Sequence, residues 1–434
     1  MNVTVDSLGP CKKLLRVEVD AAAVEAAFEE TTKEFMKLAR LPGFRPGKAP
    51  RHLVTKAYAP QLEEEVRRKL ISDSFRQAVS EQKLHVVGQP DVEEVQFARG
   101  QALQFTATVE LAPDFELPEY KGLPVRREVR IVTEEDIARA LRVLLEQRAT
   151  YLDVARPVQN GDYAVLNYTA TSEGKPLTEY AATARGLTEK KDFWVHVTPD
   201  SFLPRFADQL LGAQAGETRQ VEVEFPADFV PTALAGRHAA YAVEIVQVKE
   251  KVLPELTDEL AKAYGAENVE ALRGGVRRDL ENELQLKIKR TTRDQIVRTL
   301  LQRVACELPE SVVAQETKNV VYDIVRENQE RGISRDVIDQ QKDQIFSHAS
   351  SSARDRVKIA FILGRIADRE GLKATQEEIV QRITFLAHQY GIKPEQMVRQ
   401  LRDRNGIAEI EEQIISGKVL EFLEKNAQFE DVLP

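Results

Sequence analysis

The segment Leu41–Pro50, LPGFRPGKAP, holds the residue types in this chain that are best suited to recognising a partner. Each of its prolines removes an N–H donor and restricts the preceding residue, so no helix can cross the segment. Long amphipathic patterns flank it on both sides, which predicts a tight loop between two helices. A polar loop this short cannot cover Phe44, so we expect that ring and the adjacent guanidinium of Arg45 to face a partner. The alternative, in which Phe44 folds back into its own domain, stays open from the residues alone.

Positive charge is concentrated around this loop, although the chain has a formal net charge of −9. The basic residues, which have Glu34 as their acidic neighbour, are Lys33, Lys37, Arg40, Arg45, Lys48, Arg51 and Lys56. A basic patch on an acidic protein predicts a specific anionic partner. RNA phosphate fits this prediction, with Phe44 placed to stack on a base or to fill a protein pocket. The segment is not a P-loop, because its glycines are one residue too close and Ala49 replaces the Ser or Thr that ligates magnesium.

The sequence contains no pattern that predicts covalent catalysis or a metal centre. Its histidines match no metal-ligand spacing; they are His52, His85, His196, His238, His348 and His388. Motifs of serine hydrolases, zinc proteases and dinucleotide-binding folds are absent from the sequence. Cys11 and Cys306 are far apart with no C-x-x-C motif, so we interpret both as small buried apolar residues. No cofactor is expected.

Length and composition favour a soluble multidomain protein. The 434 residues allow about three domains, and 42% hydrophobic content is enough to build their cores. The first residues show neither a basic nor an apolar region of a secretory signal. No apolar run approaches the roughly 18 residues that span a bilayer. A soluble cytoplasmic protein without a membrane partner is therefore expected.

The hydrophobic pattern changes character along the chain. Residues 1–111 combine alternating strands with amphipathic helices, and Asp20 is placed to cap the first helix. Residues 112–150 contain spaced prolines and then a helical pattern that begins with a capping box at Thr133 and Asp136. Residues 151–248 are strand-like, with turn signals and one short helix near Leu203–Leu211.

Residues 249–434 are almost entirely helical, and their narrow apolar stripes indicate arms. A second capping box is predicted at Thr375 and Glu378.

The loop motif resembles a known signature. The matching residues in this chain are Gly43, Phe44, Arg45, Gly47, Lys48 and Pro50. The pattern G-F-R-x-G-x-x-P, about forty residues from the start and between two helices, resembles the ribosome-docking signature of bacterial trigger factors. The resemblance implies contact with the large-subunit protein at the exit of the nascent-chain tunnel and with nearby ribosomal RNA. Pro46 stands where the family often has a lysine, and we expect Lys48 to supply the missing charge.

Residues 151–248 resemble an FKBP-type prolyl isomerase domain, on motifs such as Asn160-Gly161-Asp162 and Phe202-Leu203-Pro204-x-Phe206. Such a domain needs no nucleophile, because the barrier of about 18–20 kcal/mol comes from amide resonance. A dry aromatic pocket disfavours the planar, charge-separated amide relative to the twisted one. Alignment to the family motif implies a pocket of Tyr168, Phe193, Phe202, Leu203, Phe206, Phe229 and Tyr241. The alternative is that these residues form the core of a small β domain.

Three departures from the family pattern predict reduced isomerase activity. Leu177 stands where the family usually has Phe, and the Gly-Gly pair that follows is replaced around Tyr180. Arg205 replaces the usual glycine of the Pro-Gly-Phe turn and places a cation at the pocket mouth. We expect the fold to survive these changes with lowered activity.

Together these patterns predict an α+β multidomain protein. Its expected parts are a ribosome-docking domain (1–111), a connection packing on the C-terminal body (112–150), an FKBP-like antiparallel β domain (151–248) and an all-helical chaperone domain with arms (249–434). The expected function is an ATP-independent chaperone that docks at the ribosome, holds nascent and unfolded polypeptides, and isomerises prolyl bonds. A homodimer is expected when the protein is free. Two alternatives are a stand-alone isomerase with a helical dimerisation region and a periplasmic chaperone of the SurA kind.

Overall fold

The N-terminal sheet is formed by strands in the order β1–β2–β4–β3, all antiparallel. The strands are β1 (Asn2–Gly9), β2 (Lys12–Val19), β3 (Val86–Gln96) and β4 (Leu103–Leu111). The alternation in β2 and β4 places Leu15, Val17 and Phe105 in the core. Arg99-Gly100 forms the turn between β3 and β4, with Gly100 at φ +80°. This computed structural model describes residues 1–42, 44–45, 47–181, 184–199, 201–333, 335–403 and 406–432.

Three helices cover this sheet: α1 (Ala21–Leu38), α2 (Arg51–Ala57) and α3 (Ala59–Glu81). The buried faces of α1 and α3 include Val24, Phe28 and Val66, which pack on the core face of the strands. Asp20 is the N-cap residue of α1, but its side chain makes no capping hydrogen bond to a described residue. It lies 3.5 Å from the amino group of Met1 instead. The predicted capping role of its side chain is therefore wrong.

A segment without regular secondary structure, residues 112–123, follows β4 and leads into β5 (Pro124–Glu128). Its residues Phe115, Tyr120 and Leu123 are buried in a core shared with helices near the C-terminus. The last strand, β12 (Gln428–Val432), pairs with β5 in parallel. The strand β12 could not be predicted from the sequence, because all five of its residues are exposed and show no alternation of buried and exposed positions.

The helices of the C-terminal region end at recognisable signals. They are α8 (Val269–Arg303), α9 (Glu310–Glu330), α10 (Arg335–Gln340), α11 (Lys342–Glu370), α12 (Gln376–Gln389), α13 (Pro394–Asp403) and α14 (Gly406–Lys425). The capping box predicted at Thr375 and Glu378 is present at the start of α12. Gly371 ends α11 in the left-handed conformation that glycine favours. None of the helices within the described residues has the length and apolarity required to cross a bilayer.

The chain divides into two units, Met1–Val129 with Ile288–Pro434, and Arg130–Lys287. The second unit includes α4 (Glu134–Glu146) and α7 (Asp258–Ala263), whose core contains Ile137, Leu141 and Ala261. The capping box predicted at Thr133 and Asp136 is present.

The rest of the second unit is an antiparallel sheet. Its strands are β6 (Thr150–Asp153), β7 (Tyr163–Ser172), β8 (Lys175–Pro176), β9 (Glu189–His196), β10 (Thr218–Glu224) and β11 (His238–Val252). The sheet has the order β10–β11–β7–β8, with β6 paired to β11 and β9 paired to β7. Short helical turns α5 (Leu177–Tyr180) and α6 (Arg185–Thr188) lie between β8 and β9, and a 3-10 turn spans Ala207–Leu210. The α+β fold class is confirmed.

Candidate functional site

A small apolar cluster at the ends of α1 and α2 holds the 41–50 loop. Ala39, Ala49 and Val54 are buried in this cluster, and Phe35 packs edge-on against Tyr58 with ring centroids 6.2 Å apart. The Tyr58 hydroxyl donates to the carbonyl of Arg40 at 3.0 Å. The loop is therefore tied to both flanking helices at its base.

Local turns shape the tip of the loop. The Phe44 amide donates to the Leu41 carbonyl at 3.1 Å, and the Lys48 amide donates to the Arg45 carbonyl at 2.9 Å. Gly47 has φ +78°, and a Cβ there would lie 3.3 Å from the Lys37 carbonyl oxygen. Glycine at position 47 thus lets the tip lie against the end of α1. Gly43 and Pro46, which belong to the predicted motif, lie outside the described residues.

The ring of Phe44 is 41% exposed, so it does not fill its own domain. Arg45 and Lys48 are also exposed. Leu38, at the end of α1 beside the loop, is 81% exposed and was missed by sequence analysis. Its exposure follows from its position on the solvent side of the last helical turn, since Ala39 is the neighbour that enters the cluster. The tip presents apolar and cationic groups together.

The charges near the loop are only partly paired. Arg51 forms an ion pair with Glu29 at 2.5 Å, and this hydrogen bond lowers the pKa of the Glu29 carboxyl. Glu30 lies 3.4 Å from Lys69. The prediction that Glu34 is the only acidic neighbour of the basic residues is therefore wrong for Arg51, because α2 packs against α1 and brings Arg51 to Glu29. No ion pair is seen for Arg45 or Lys48 among the described residues, so the tip keeps its positive charge.

Five aromatic rings of the β domain form one continuous cluster. They come from β7, β9, the turn after β9 and β11: Tyr168, Phe193, Phe202, Phe206 and Tyr241. Ring centroids are 4.7 Å apart for Phe193–Phe202, 5.1 Å for Phe202–Phe206 and 5.5 Å for Phe206–Tyr241. The rings meet in tilted or edge-to-face arrangements, which aromatic pairs prefer.

The seven residues predicted for the prolyl pocket differ in accessibility. At most 2% of each residue is exposed for Tyr168, Leu203, Phe206 and Tyr241. Phe193 and Phe202 are half-buried and form the accessible part of the cluster. Phe229 is also half-buried, but its ring contact is with Phe225, at 4.8 Å. We call the four buried residues the base of the cluster, and Phe193 and Phe202 its rim. Phe229 forms a separate aromatic pair with Phe225.

The buried tyrosines fasten a segment between β8 and β9 to the cluster. Tyr168 Oη donates to the Gly186 carbonyl at 2.5 Å, and Tyr241 Oη donates to the Leu187 carbonyl at 2.7 Å. Sequence analysis missed these partners, although a buried tyrosine hydroxyl almost always has one. Leu177, which stands where an aromatic residue was expected, is completely buried in the same core.

The turn between Phe202 and Phe206 adopts an unusual backbone conformation. Phe202 has φ +69° and Arg205 has φ +57°. A bulky L-residue in this left-handed region is strained by about 1 kcal/mol or more, and such strain concentrates at functional sites. The glycine expected at position 205 would adopt this conformation without strain. Arg205 is exposed, and Lys190 Nζ lies 5.0 Å from the Phe193 ring centroid. Lys190 therefore places positive charge near an accessible ring, and Arg205 adds an exposed cation to the turn that holds Phe202.

Comparison with known proteins matches every part of this architecture. The model described as bacterial trigger factor protein (TF) matches residues 1–144, and the one for its C-terminus matches residues 268–425. A trigger factor from Opitutus terrae is 33% identical over all of both chains. The chain belongs to the trigger factor family. A second relative, from Caldicellulosiruptor bescii, is 30% identical over 99% of this chain and 97% of its own.

The family assignment extends to the β domain. The FKBP-type peptidyl-prolyl cis-trans isomerase model matches residues 154–246, the region that contains the aromatic cluster. The chain therefore contains an FKBP-type isomerase domain within a trigger factor chaperone, as predicted. This sets aside the stand-alone isomerase and the SurA-type chaperone. A solved structure titled "Promiscuous Substrate Recognition in Folding and Assembly Activities of the Trigger Factor Chaperone" is 18% identical over 98% of this chain and 99% of its own, with a TM-score of 0.45.

Raising the pH above about 10 should destabilise the β domain. Burial raises the pKa of Tyr168 to about 12 and also raises that of Tyr241. The unfolded chain then loses these protons at a lower pH than the folded domain, so the free energy of unfolding falls as pH rises from about 10 towards 12. Urea unfolding followed by fluorescence of Trp194, the chain's single tryptophan, will measure this fall. Tyr168→Phe should reduce this fall and leave the part due to Tyr241, whereas Tyr322→Phe, at an exposed position, should leave the fall unchanged.

Proposed function

We propose that the protein docks on the large ribosomal subunit at the exit of the nascent-chain tunnel through its 41–50 loop. The observation that supports this best is the joint exposure of Phe44 and Arg45 on a loop tied to two helices. The ring suits a shallow pocket on the tunnel-exit protein. The charges of Arg45 and Lys48, which form no ion pair with any residue that the structure describes, suit adjacent ribosomal RNA phosphates. Gly47, at φ +78°, lets the chain turn at the tip. A ribosome partner implies a cytoplasmic location.

Co-sedimentation with isolated ribosomal subunits tests this proposal directly. The protein should sediment with large subunits and not with small ones, because only large subunits contain the tunnel exit. Binding should weaken as salt rises, since phosphate contacts release counterions when they form. Equal sedimentation with both subunits would indicate a general attraction to RNA and would contradict the proposal.

We further propose that nascent and unfolded chains are held by the helical region through many weak apolar contacts and without ATP. Large apolar side chains are exposed on several of its helices, among them Tyr322 on α9, Phe346 on α11, and Val380 and Phe385 on α12. Exposed apolar groups of this size on a folded protein favour binding sites for apolar partners. The same surfaces supply the contacts for a homodimer when the ribosome is absent.

Prolyl isomerisation is assigned to the aromatic set Tyr168, Phe193, Phe202, Leu203, Phe206, Phe229 and Tyr241. We propose that the client proline rests on the accessible rings of Phe193 and Phe202, above the buried base. Apolar surroundings there destabilise the planar amide and so lower the barrier to rotation. Arg205 and Lys190 bring charge and water to the rim, which predicts an activity below that of a typical FKBP-type enzyme.

Removing residues 151–248 should leave most of the chaperone activity in place. The excision is structurally feasible because β6 and β11 pair at their ends, with Asp153 opposite Lys249 and Thr150 opposite Val252. A short Gly-Ser linker can then join residues 150 and 249. The deleted chain should still suppress aggregation of a denatured client that lacks rate-limiting prolines. Complete loss of suppression by a folded deletion protein would place the main client site in the β domain.

A further inference from the structure

The fold brings Cys11 close to the segment that contains Cys306, although the chain's two cysteines lie far apart in sequence. Cys11 Sγ donates to the backbone carbonyl of Glu307 at 3.2 Å, which places it beside the residue that follows Cys306. Cys11 is buried, and Cys306 is half-buried. The prediction that both are buried holds for Cys11, and nothing in the sequence spacing predicted that the two segments lie close together.

Both cysteines lie on segments that neighbouring contacts hold together. Cys11 lies in the tight turn between β1 and β2, and its carbonyl accepts from the Leu111 amide at 2.8 Å. Glu110, next to Leu111, accepts from the Ser311 amide at 2.9 Å and from the Ser311 hydroxyl at 2.6 Å at the start of α9. Cys306 lies in the short connection between α8 and α9. The N-terminal sheet thus contacts the helical region next to the thiols, at Glu307 and Ser311.

The two thiols differ in environment. Burial raises the pKa of Cys11, and the negative charges of Cys306, Glu307 and Glu110 raise it further. Burial also raises the pKa of Cys306, but the positive charge of Lys358 opposes that rise. Cys306 is the more accessible of the two and has the more favourable surroundings for its thiolate. It is therefore the thiol that reacts first with a reagent from solution.

We propose that Cys11 and Cys306 are a redox-sensitive pair, which a small disulfide converts to an intrachain disulfide that ties the N-terminal sheet to the helical region. Cys306 loses its proton to water, and its thiolate attacks the small disulfide and expels one small thiolate. Cys11, after losing its own proton, attacks the Cys306 sulfur of the mixed disulfide and expels the second. Both small thiolates take up protons. The protein loses two hydrogen atoms and two small thiols are formed, so the exchange balances.

The proposal is tested on the full chain with glutathione disulfide as the oxidant. After alkylation of free thiols and proteolysis, mass spectrometry should find the peptide of Cys11 linked to the peptide of Cys306. Folding raises the local concentration of one thiol at the other, so the link should form about tenfold or more faster in native protein than in urea. Glutathione adducts that persist on the native protein, or a link that forms equally fast in urea, would overturn the proposal.

Two variants distinguish disulfide formation that is specific to Cys11 and Cys306 from non-specific oxidation of thiols. Cys11→Ser removes the resolving thiol, so a glutathione adduct on Cys306 should persist where the native protein loses it. The double variant Cys306→Ser, Ala305→Cys keeps two thiols at nearly the same spacing but moves one to an exposed neighbouring position. Its link should form no faster when folded than in urea. A rate equal to that of the native pair would mean that proximity at position 306 is not responsible.

Discussion

Alanine at both Phe44 and Arg45 should abolish ribosome binding while leaving the fold intact. The variant removes an exposed ring and an unpaired cation, and neither side chain belongs to the apolar cluster that holds the loop. Hot-spot residues at an interface cost about 2 kcal/mol or more each when truncated, and a joint loss of about 4 kcal/mol weakens the Kd roughly a thousandfold. Co-sedimentation with large subunits will measure the binding, and circular dichroism will show that the helices are retained.

Single variants and a matched control sharpen this result. Arg45→Ala should make binding less sensitive to salt, because one phosphate contact is lost, whereas Phe44→Ala should leave the salt dependence unchanged. The control is Tyr390→Ala with Lys393→Ala, which removes an exposed ring and an exposed charge from the helical region. It should bind ribosomes like the native protein. If the Phe44 and Arg45 double variant also does so, the loop is not the docking site.

The second large effect is expected at Phe202. Phe202→Ala should remove most of the prolyl isomerase activity, because this half-buried ring contacts Phe193, Tyr168 and Phe206. The variant removes part of the apolar surface on which we propose that the client proline rests. Each aromatic contact contributes about 0.5–1.5 kcal/mol beyond burial. We therefore expect the loss of this ring to lower the catalysed rate by about tenfold to a hundredfold. A refolding assay limited by proline isomerisation will measure it, since the uncatalysed step takes tens of seconds.

The choice of Phe202 follows from burial. Phe206 is completely buried, and Phe206→Ala would cost the domain about 3–5 kcal/mol through the cavity it leaves. Its loss of activity would then be difficult to separate from unfolding. Trp194→Ala is the matched control, because Trp194 follows Phe193 on β9, points to the opposite face and is 46% exposed. An unchanged rate in folded Phe202→Ala protein would remove this cluster from the mechanism.

The rim charge can be tested in the opposite direction. Arg205→Gly should raise the isomerase rate, and it should also stabilise the domain by about 1 kcal/mol because position 205 has a positive φ. Leu177→Phe is the less direct test. The native leucine is fully buried, and a larger ring there must displace its neighbours at a cost of about 1–3 kcal/mol. Greater stability of Arg205→Gly without a faster rate would mean that this cation does not limit catalysis.

Local rules were enough to predict the loop and most of the regular elements. Prolines and glycines restrict the backbone of their immediate neighbours, so the break at residues 41–50 could be predicted from composition and order alone. The capping boxes at Thr133 and Thr375 join residues three apart, and both are present. The alternation in β4 reflects one buried face, which is visible in the sequence of that strand alone.

Tertiary structure decided the contacts between distant segments. The strand β12 is exposed along its length and exists because it pairs with β5, some three hundred residues earlier. The ion pair of Arg51 with Glu29 and the tyrosine bonds to Gly186 and Leu187 likewise require a completed fold. The positions of Cys11 and Cys306 in the sequence do not predict the contact of Cys11 with Glu307, the residue after Cys306. The physical reason is that periodicity records which side of an element is buried, whereas the choice of partner depends on the packing of whole domains.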